Sequence, residues 1–255
     1  MYDIPKLIDM SAWTGRWPFI HLRFGELAAL EKKLKSVNIT KAFVAPIEAI
    51  LEQDPTRANM ELLAEVKNDF FSPVPVIDLS YANWDECFDK ATADKRVKMV
   101  KIVPNYHQYK LNELDMAPFI ERVQKRGLAV SVQMKVEDPR AQYTPLNISI
   151  VPREEAEAML AKFPGQRFIF HNIALWDAPA LLKASENACV CIETVETQDT
   201  LAAVARSCPM DRVLFASHCA FFFPEGNINK LKYAKTDFET VEKVAYKNAE
   251  RIFGL

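Results

Sequence analysis

Short apolar runs rich in β-branched residues alternate along the chain with helix-length segments whose apolar residues recur at intervals of three and four. Eight such runs predict strands: Leu7–Ala12, Ala42–Ala45, Val74–Leu79, Met99–Val103, Ala129–Gln133, Phe168–Phe170, Ala188–Glu193 and Val213–Ala216. Most are continuously apolar rather than alternating, as a strand covered on both faces requires. Between them, Leu27, Leu30, Leu34 and Val37 make one helical stripe, Met116, Phe119, Ile120 and Val123 a second, and Ala156, Met159, Leu160 and Phe163 a third. Strand and helix in turn predict an α/β protein with a parallel sheet. Eight repeats of the unit predict a (β/α)₈ TIM barrel, whose typical length of roughly 250 residues the chain of 255 matches as one domain over residues 1–255.

Boundary signals agree with this division. Asp54-Pro55 places a cap before a first-turn proline, Gly127 ends a helix before the fifth strand, and Thr236-Asp237-Phe238-Glu239 has a capping-box pattern. The last helix should then carry Phe238, Val241, Ala245 and Ile252 down one side. The longest irregular stretch, residues 138–151 with Pro139, Pro145 and Asn147, follows the fifth strand. Loops at the carboxyl ends of barrel strands shape ligand sites, so this segment is read either as a site cover or as a packed surface excursion.

Composition narrows the function. With 32 Lys+Arg against 34 Asp+Glu the formal charge is -2, and no basic block tracks a phosphate backbone, so nucleic-acid binding is disfavoured. The start MYDIPKLIDMSAW lacks a basic, apolar signal sequence, and no 18-residue apolar stretch occurs, which points to a cytoplasmic protein off the membrane. Cys87, Cys189, Cys191, Cys208 and Cys219 show no C-x-x-C spacing and read as reduced thiols; Cys189 and Cys191, two apart on a strand, share one face and read as core packing. Phosphate-loop and serine-nucleophile motifs are absent from the sequence.

The segments IDMSAWTGRWPF at 8–19, VKIVPNYHQYKLNE at 100–113, FIFHNI at 168–173, RVLFASHCAFF at 212–222 and KNAERIFGL at 247–255 resemble the amidohydrolase-related family of metal-dependent barrel hydrolases and decarboxylases. The resemblance implies a divalent metal such as zinc. It would be held by a His-x-His pair at the end of the first strand, a His after a later strand, a His ending the sixth and an Asp after the eighth. Aligned on Ile8-Asp9 and Gly15, the His-x-His positions are Ser11 and Trp13; the fifth-strand position is Gln133 or Met134; and the eighth-strand Asp is His218. Only His171 keeps the family's chemical type. Most of the usual ligands are therefore missing, and metal binding is left open.

Three of the four histidines, His107, His171 and His218, follow predicted strands four, six and eight. Glu193, ending the seventh, could converge with His171 and His218, either to hold a displaced divalent ion or for metal-free acid–base chemistry in which Glu193 or Asp78 fixes a histidine tautomer. Lys101 is a charge inside an apolar strand, with Asp78 its nearest predicted partner. Trp13, Arg16 and Trp17 offer aromatic surface and a guanidinium for a flat or carboxylated ligand. The candidate catalytic residues are thus His171, His218, Glu193 and Asp78, and the candidate substrate-binding residues Trp13, Arg16, Lys101, His107 and Gln133. For each a structural role is the competing reading, and His21 reads as surface.

Two functions compete. One is an amidohydrolase-like hydrolase or lyase, decarboxylase-type, with a degenerate metal site, acting on a small organic molecule, carboxylated or not. The other is a catalytically silent barrel that binds a ligand or serves as the partner subunit of an active relative. The partners expected are a small-molecule ligand and either a second copy of the chain or a related barrel subunit.

Overall fold

The computed structural model describes residues 1–138, 140 and 142–255. Eight parallel strands run in chain order: β1 Leu7–Thr14, β2 Ile39–Pro46, β3 Phe71–Pro73, β4 Met99–Ile102, β5 Ala129–Gln133, β6 Phe168–His171, β7 Ala188–Cys191 and β8 Val213–Leu214. Regular ladders join β1-β2-β3 and β4-β5-β6-β7-β8. The two seams between these sheets are closed by backbone hydrogen bonds. On one side Lys101 N–H donates to Pro75 and Ile77 N–H to Lys101 (2.8 Å each). On the other, Met10 N–H donates to Phe215 (3.0 Å) and His218 N–H to Ser11 (2.9 Å). The ring of eight is complete, and the chain folds as a TIM barrel.

The expected third strand, Val74–Leu79, is displaced. The regular ladder covers Phe71–Pro73, and Val76 makes only an isolated bridge to Lys101. Pro73 and Pro75 lack the N–H a ladder needs, so the pairing with β4 skips along this stretch. The other strands fall within a few residues of expectation.

The predicted stripes face inward. Leu27, Leu30 and Leu34 of α1 (Leu27–Ser36), Phe119, Ile120 and Val123 of α4 (Ala117–Lys125), and Ala156, Met159 and Leu160 of α5 (Arg153–Lys162) are buried. Between α1 and α4 lie α2 (Thr56–Glu65) and α3 (Trp84–Ala91); after α5 come α6 (Asp177–Ala184), α7 (Thr200–Ala205) and α8 (Pro224–Lys232). Gly127, at φ 64, reverses the chain after α4 into β5. The last helix is less regular than its stripe suggests. Asp237 caps α9 (Phe238–Glu242) by accepting from Thr240 N–H, a π-helical turn spans Lys243–Lys247, and α10 (Asn248–Phe253) follows. Of the expected stripe, Val241 and Ala245 are buried, Ile252 is half-buried and Phe238, at the start of α9, is 37% exposed. Pro139 of the loop after β5 lies outside the described residues. No helix among them is long and apolar enough to cross a membrane.

Candidate functional site

The carboxyl ends of the strands gather an unusually polar core. Asp9, Ser11 and Trp13 on β1, Lys101 on β4, Gln133 on β5, His171 on β6, Cys191 and Glu193 at the end of β7, and His218 after β8 are each no more than 3% exposed. The three β1 residues are gathered although the β1–β2 register is irregular between Asp9 and Ala12, and Glu193 lies two residues past Cys191, the last residue of β7.

Lys101 lies at the centre. Its ammonium donates to Ser11 Oγ and Gln133 Oε1 (3.1 Å each) and sits 4.2 Å from the centroid of the Trp13 ring. Burial pushes Lys101 down to about 7, against the opposing pull of Glu193, Cys191 and Asp9. The predicted partner, Asp78, is elsewhere. It accepts from the Ser80 hydroxyl (2.7 Å) and stands 3.6 Å from His107 Nδ1, in a separate cluster. The segment after β3 carries Asp78 to the rim, whereas the Lys101 side chain turns into the barrel beside β1 and β5. Asp78 is thus neither the counter-charge of Lys101 nor placed to set the tautomer of His171 or His218.

His171 and Glu193 meet as expected, with Nδ1 and Oε1 3.3 Å apart and both side chains fully enclosed. The contact lacks hydrogen-bond alignment, and both ring nitrogens of His171, together with Glu193 Oε2, have no partner among the described residues. Glu193 Oε1 accepts from Asn172 N–H (2.9 Å). Burial pushes the His171 imidazole below its ordinary value by more than Glu193 raises it, and Lys101 pushes it the same way. Burial also opposes charge on Glu193, but His171 beside it holds the carboxyl below its ordinary value. At neutral pH the pair is therefore a carboxylate next to a neutral imidazole, with Lys101 as the nearby cation.

His218 is held differently. Its Nε2–H donates to Val136 O (2.7 Å) and its Nδ1 accepts from Trp13 Nε1–H (3.2 Å), so both nitrogens are used and the tautomer is fixed. Burial drives it down to about 3. His218 at φ 55 and Asn172 at φ 56 both adopt left-handed backbone where strands β8 and β6 give way to loops. Such conformations concentrate where a fold positions functional groups.

Asp9 accepts from Ser217 N–H (2.8 Å), Ser217 Oγ–H (2.5 Å) and Ser11 N–H (3.1 Å), yet burial raises it to about 6. Cys191 is the residue the sequence reading undervalued. One sulfur, one His171 nitrogen and one Glu193 oxygen all lie within 4.8 Å of one another. The signal in the sequence was partial: Cys191 and Glu193 are two apart, but only the pairing of β6 with β7 brings the sulfur near His171.

The mouth is capped by aromatic side chains. Phe221 packs edge-on against Trp13 (6.0 Å) and Trp17 (5.4 Å), and Trp17 against Tyr106 (5.7 Å). Glu137 ties the cap to the loop after β5, accepting from Trp17 Nε1–H (2.8 Å) and Tyr106 O–H (3.3 Å). Arg16 is exposed and engages Glu48 through its backbone N–H (2.8 Å), so its guanidinium is outside the core. His21 is exposed as well. A cavity of about 360 Å³ opens between the segments that follow β5 and β6, lined in part by Met134, Asn172 and Trp176, the first two being chain neighbours of Gln133 and His171.

Comparison with known proteins shows the family of the chain. The amidohydrolase family model, of the amidohydrolase 2 type, matches residues 25–255. The chain belongs to the amidohydrolase family. No curated protein matches the sequence. Among solved structures, the chain superposes on 2,6-dihydroxybenzoate decarboxylase from Rhizobium with TM-score 0.77 and 12% identity, covering 98% of this chain and 99% of that one. It superposes on 5-carboxyvanillate decarboxylase from Sphingomonas paucimobilis with TM-score 0.72 and 13% identity, covering 98% and 99%. It also superposes on the 5-carboxyvanillate decarboxylase of Novosphingobium aromaticivorans, complexed with manganese and 4-hydroxy-3-methoxy-5-nitrobenzoic acid, with TM-score 0.71 and 13% identity, covering 98% and 96%. The family match begins after β1, the strand where the amidohydrolase ligand pair would stand.

The donor set expected of the family does not fit this core. Ser11 is engaged by Lys101, Trp13 fills the second position with an indole, and His218 has committed both nitrogens to Trp13 and Val136.

Proposed function

We propose that this amidohydrolase-family barrel is a lyase of the decarboxylase type, acting on a small carboxylated aromatic molecule through His171, Glu193 and Lys101. The observation that carries the reading is His171, which is wholly buried with two unpartnered nitrogens against a carboxylate whose second oxygen is also unpartnered. Buried polar groups without partners are rare in native proteins and call for a bound group or a proton to move. The solved relatives named for 2,6-dihydroxybenzoate and 5-carboxyvanillate suggest the substrate class.

In this scheme the Lys101 ammonium attracts the substrate carboxylate and supplies the proton, since an acid near 7 is well matched to proton transfer at neutral pH. The proton adds to the ring carbon bearing the carboxylate. The bond to the carboxylate carbon then breaks, its electron pair restores the aromatic ring, and CO₂ leaves. His171, with Glu193 3.3 Å away, passes a proton from water to the Lys101 amine, and the hydroxide left behind goes to solvent. The aromatic cap must part for entry, and once closed it excludes water from the charge it covers.

The silent-barrel reading is favoured by one observation, the closed cap with His218 locked beneath it. One assay separates the two readings. The purified chain incubated with 2,6-dihydroxybenzoate and with 5-carboxyvanillate is expected to release CO₂ from at least one. Saturable binding without product would instead support a ligand-binding role, and neither binding nor product would remove the proposed substrate class.

A further inference from the structure

We propose that the β6–β7 end of the barrel holds a thiophilic divalent ion, zinc by preference, through Cys191, His171 and Glu193. This ligand set is displaced from the first-strand positions and contains a thiolate. The inference does not rest on the proposed reaction. It stands on three donors of the types zinc takes, all buried and within 4.8 Å of one another, two of them carrying atoms with no other partner.

The geometry is close to what an ion requires. Donors at 2.0–2.3 Å from a tetrahedral zinc are roughly 3.5 Å apart. The His171 Nδ1 to Glu193 Oε1 edge is already 3.3 Å, and the Cys191 sulfur, within 4.8 Å of a donor atom of each, must close in by about 1 Å on binding. Asn172 N–H, 2.9 Å from Glu193 Oε1, supplies the kind of outer contact that orients a ligating carboxylate. Three protein donors leave a fourth position for water or a ligand.

Charge supports the same occupant. On binding, Cys191 gives up its thiol proton to solvent and the sulfur bonds the ion. The thiolate and the Glu193 carboxylate then cancel the dication, and His171 donates as a neutral imidazole. A neutral cluster suits a site this deeply buried. The sulfur selects zinc or cobalt over magnesium or calcium, which prefer all-oxygen sites. An ion here would occupy His171 and Glu193, so the loaded and proton-transferring forms are alternative states of the same side chains.

The test is a Co²⁺ titration of the full chain after chelator treatment. One equivalent is expected to bind, with the absorption of four-coordinate cobalt and a thiolate-to-cobalt charge-transfer band. C191S should remove that band and weaken binding by about tenfold or more. H171N should weaken binding comparably while leaving the thiolate, and C208S, in the turn after α7, should change neither property. Thermal melts of each variant report folding. The proposal is overturned if the wild type takes up no stoichiometric ion, if the charge-transfer band survives C191S, or if folded H171N binds as tightly as the wild type.

Discussion

Replacing Lys101 with methionine is expected to flatten the pH dependence of stability between pH 6 and pH 9. The ordinary lysine value is 10.5, and burial brings Lys101 to about 7 in the fold. Between those values the unfolded chain binds the proton and the folded chain does not, so the wild type gains stability as pH rises from 7 towards 10.5 and loses it as pH falls back to 7. From pH 9 to pH 7 this amounts to about 3 kcal/mol at 1.36 kcal/mol per pH unit. Below pH 7 both forms are protonated and the contribution levels off. The stability difference between K101M and the wild type should therefore move in favour of K101M by about 3 kcal/mol on going from pH 9 to pH 6. Denaturant unfolding of both proteins at the two pH values measures it, and parallel profiles would show that Lys101 titrates as a solvated amine.

Trp13→Ala is expected to destabilise the fold by about 3–5 kcal/mol, the usual cost of deleting a fully buried large aromatic side chain. Here the indole does more than fill space. It covers the Lys101 ammonium at 4.2 Å, donates to His218 Nδ1 at 3.2 Å and supports the cap through Phe221. Trp13→Phe keeps most of the packing but orphans the histidine nitrogen, and should cost about 1–3 kcal/mol. Urea midpoints distinguish the two variants. A loss below about 1 kcal/mol for Trp13→Ala would mean that the core collapses around the gap or that the ring is not packed as described.

Much of this architecture is written locally. The helical stripes, Gly127 and the Asp237 cap can be read because each follows from side-chain spacing or a single backbone requirement. The third strand was misplaced because hydrophobicity marks residues 74–79 equally well, while the missing N–H groups of Pro73 and Pro75 decide where the ladder can form. At the site, the sequence placed His171 and Glu193 at adjacent strand ends, and they meet. It could not decide which polar group answers Lys101, because that depends on how side chains from β1, β4 and β5 cross the barrel interior. Ser11 and Gln133 take the role, and Asp78 turns to His107 instead. For the same reason His218 looked equivalent to His171. Only the contacts with Trp13 and Val136 show that one imidazole is fully committed and the other is free. Cys191 was read as packing because a thiol in an apolar run is ordinary, and its significance appears only once His171 and Glu193 stand beside it.

The proposed reaction rests on His171 and Glu193 at the β6–β7 end acting with Lys101 of β4, rather than on the first-strand positions. The most direct test compares decarboxylation by the wild type and by His171→Asn, which retains a polar side chain but cannot exchange a proton near neutral pH. With the fold verified by its melting curve, H171N is expected to lose about 10²- to 10⁴-fold in turnover, the range for removing a positioned acid–base group. A folded H171N that releases CO₂ at the wild-type rate would contradict the account.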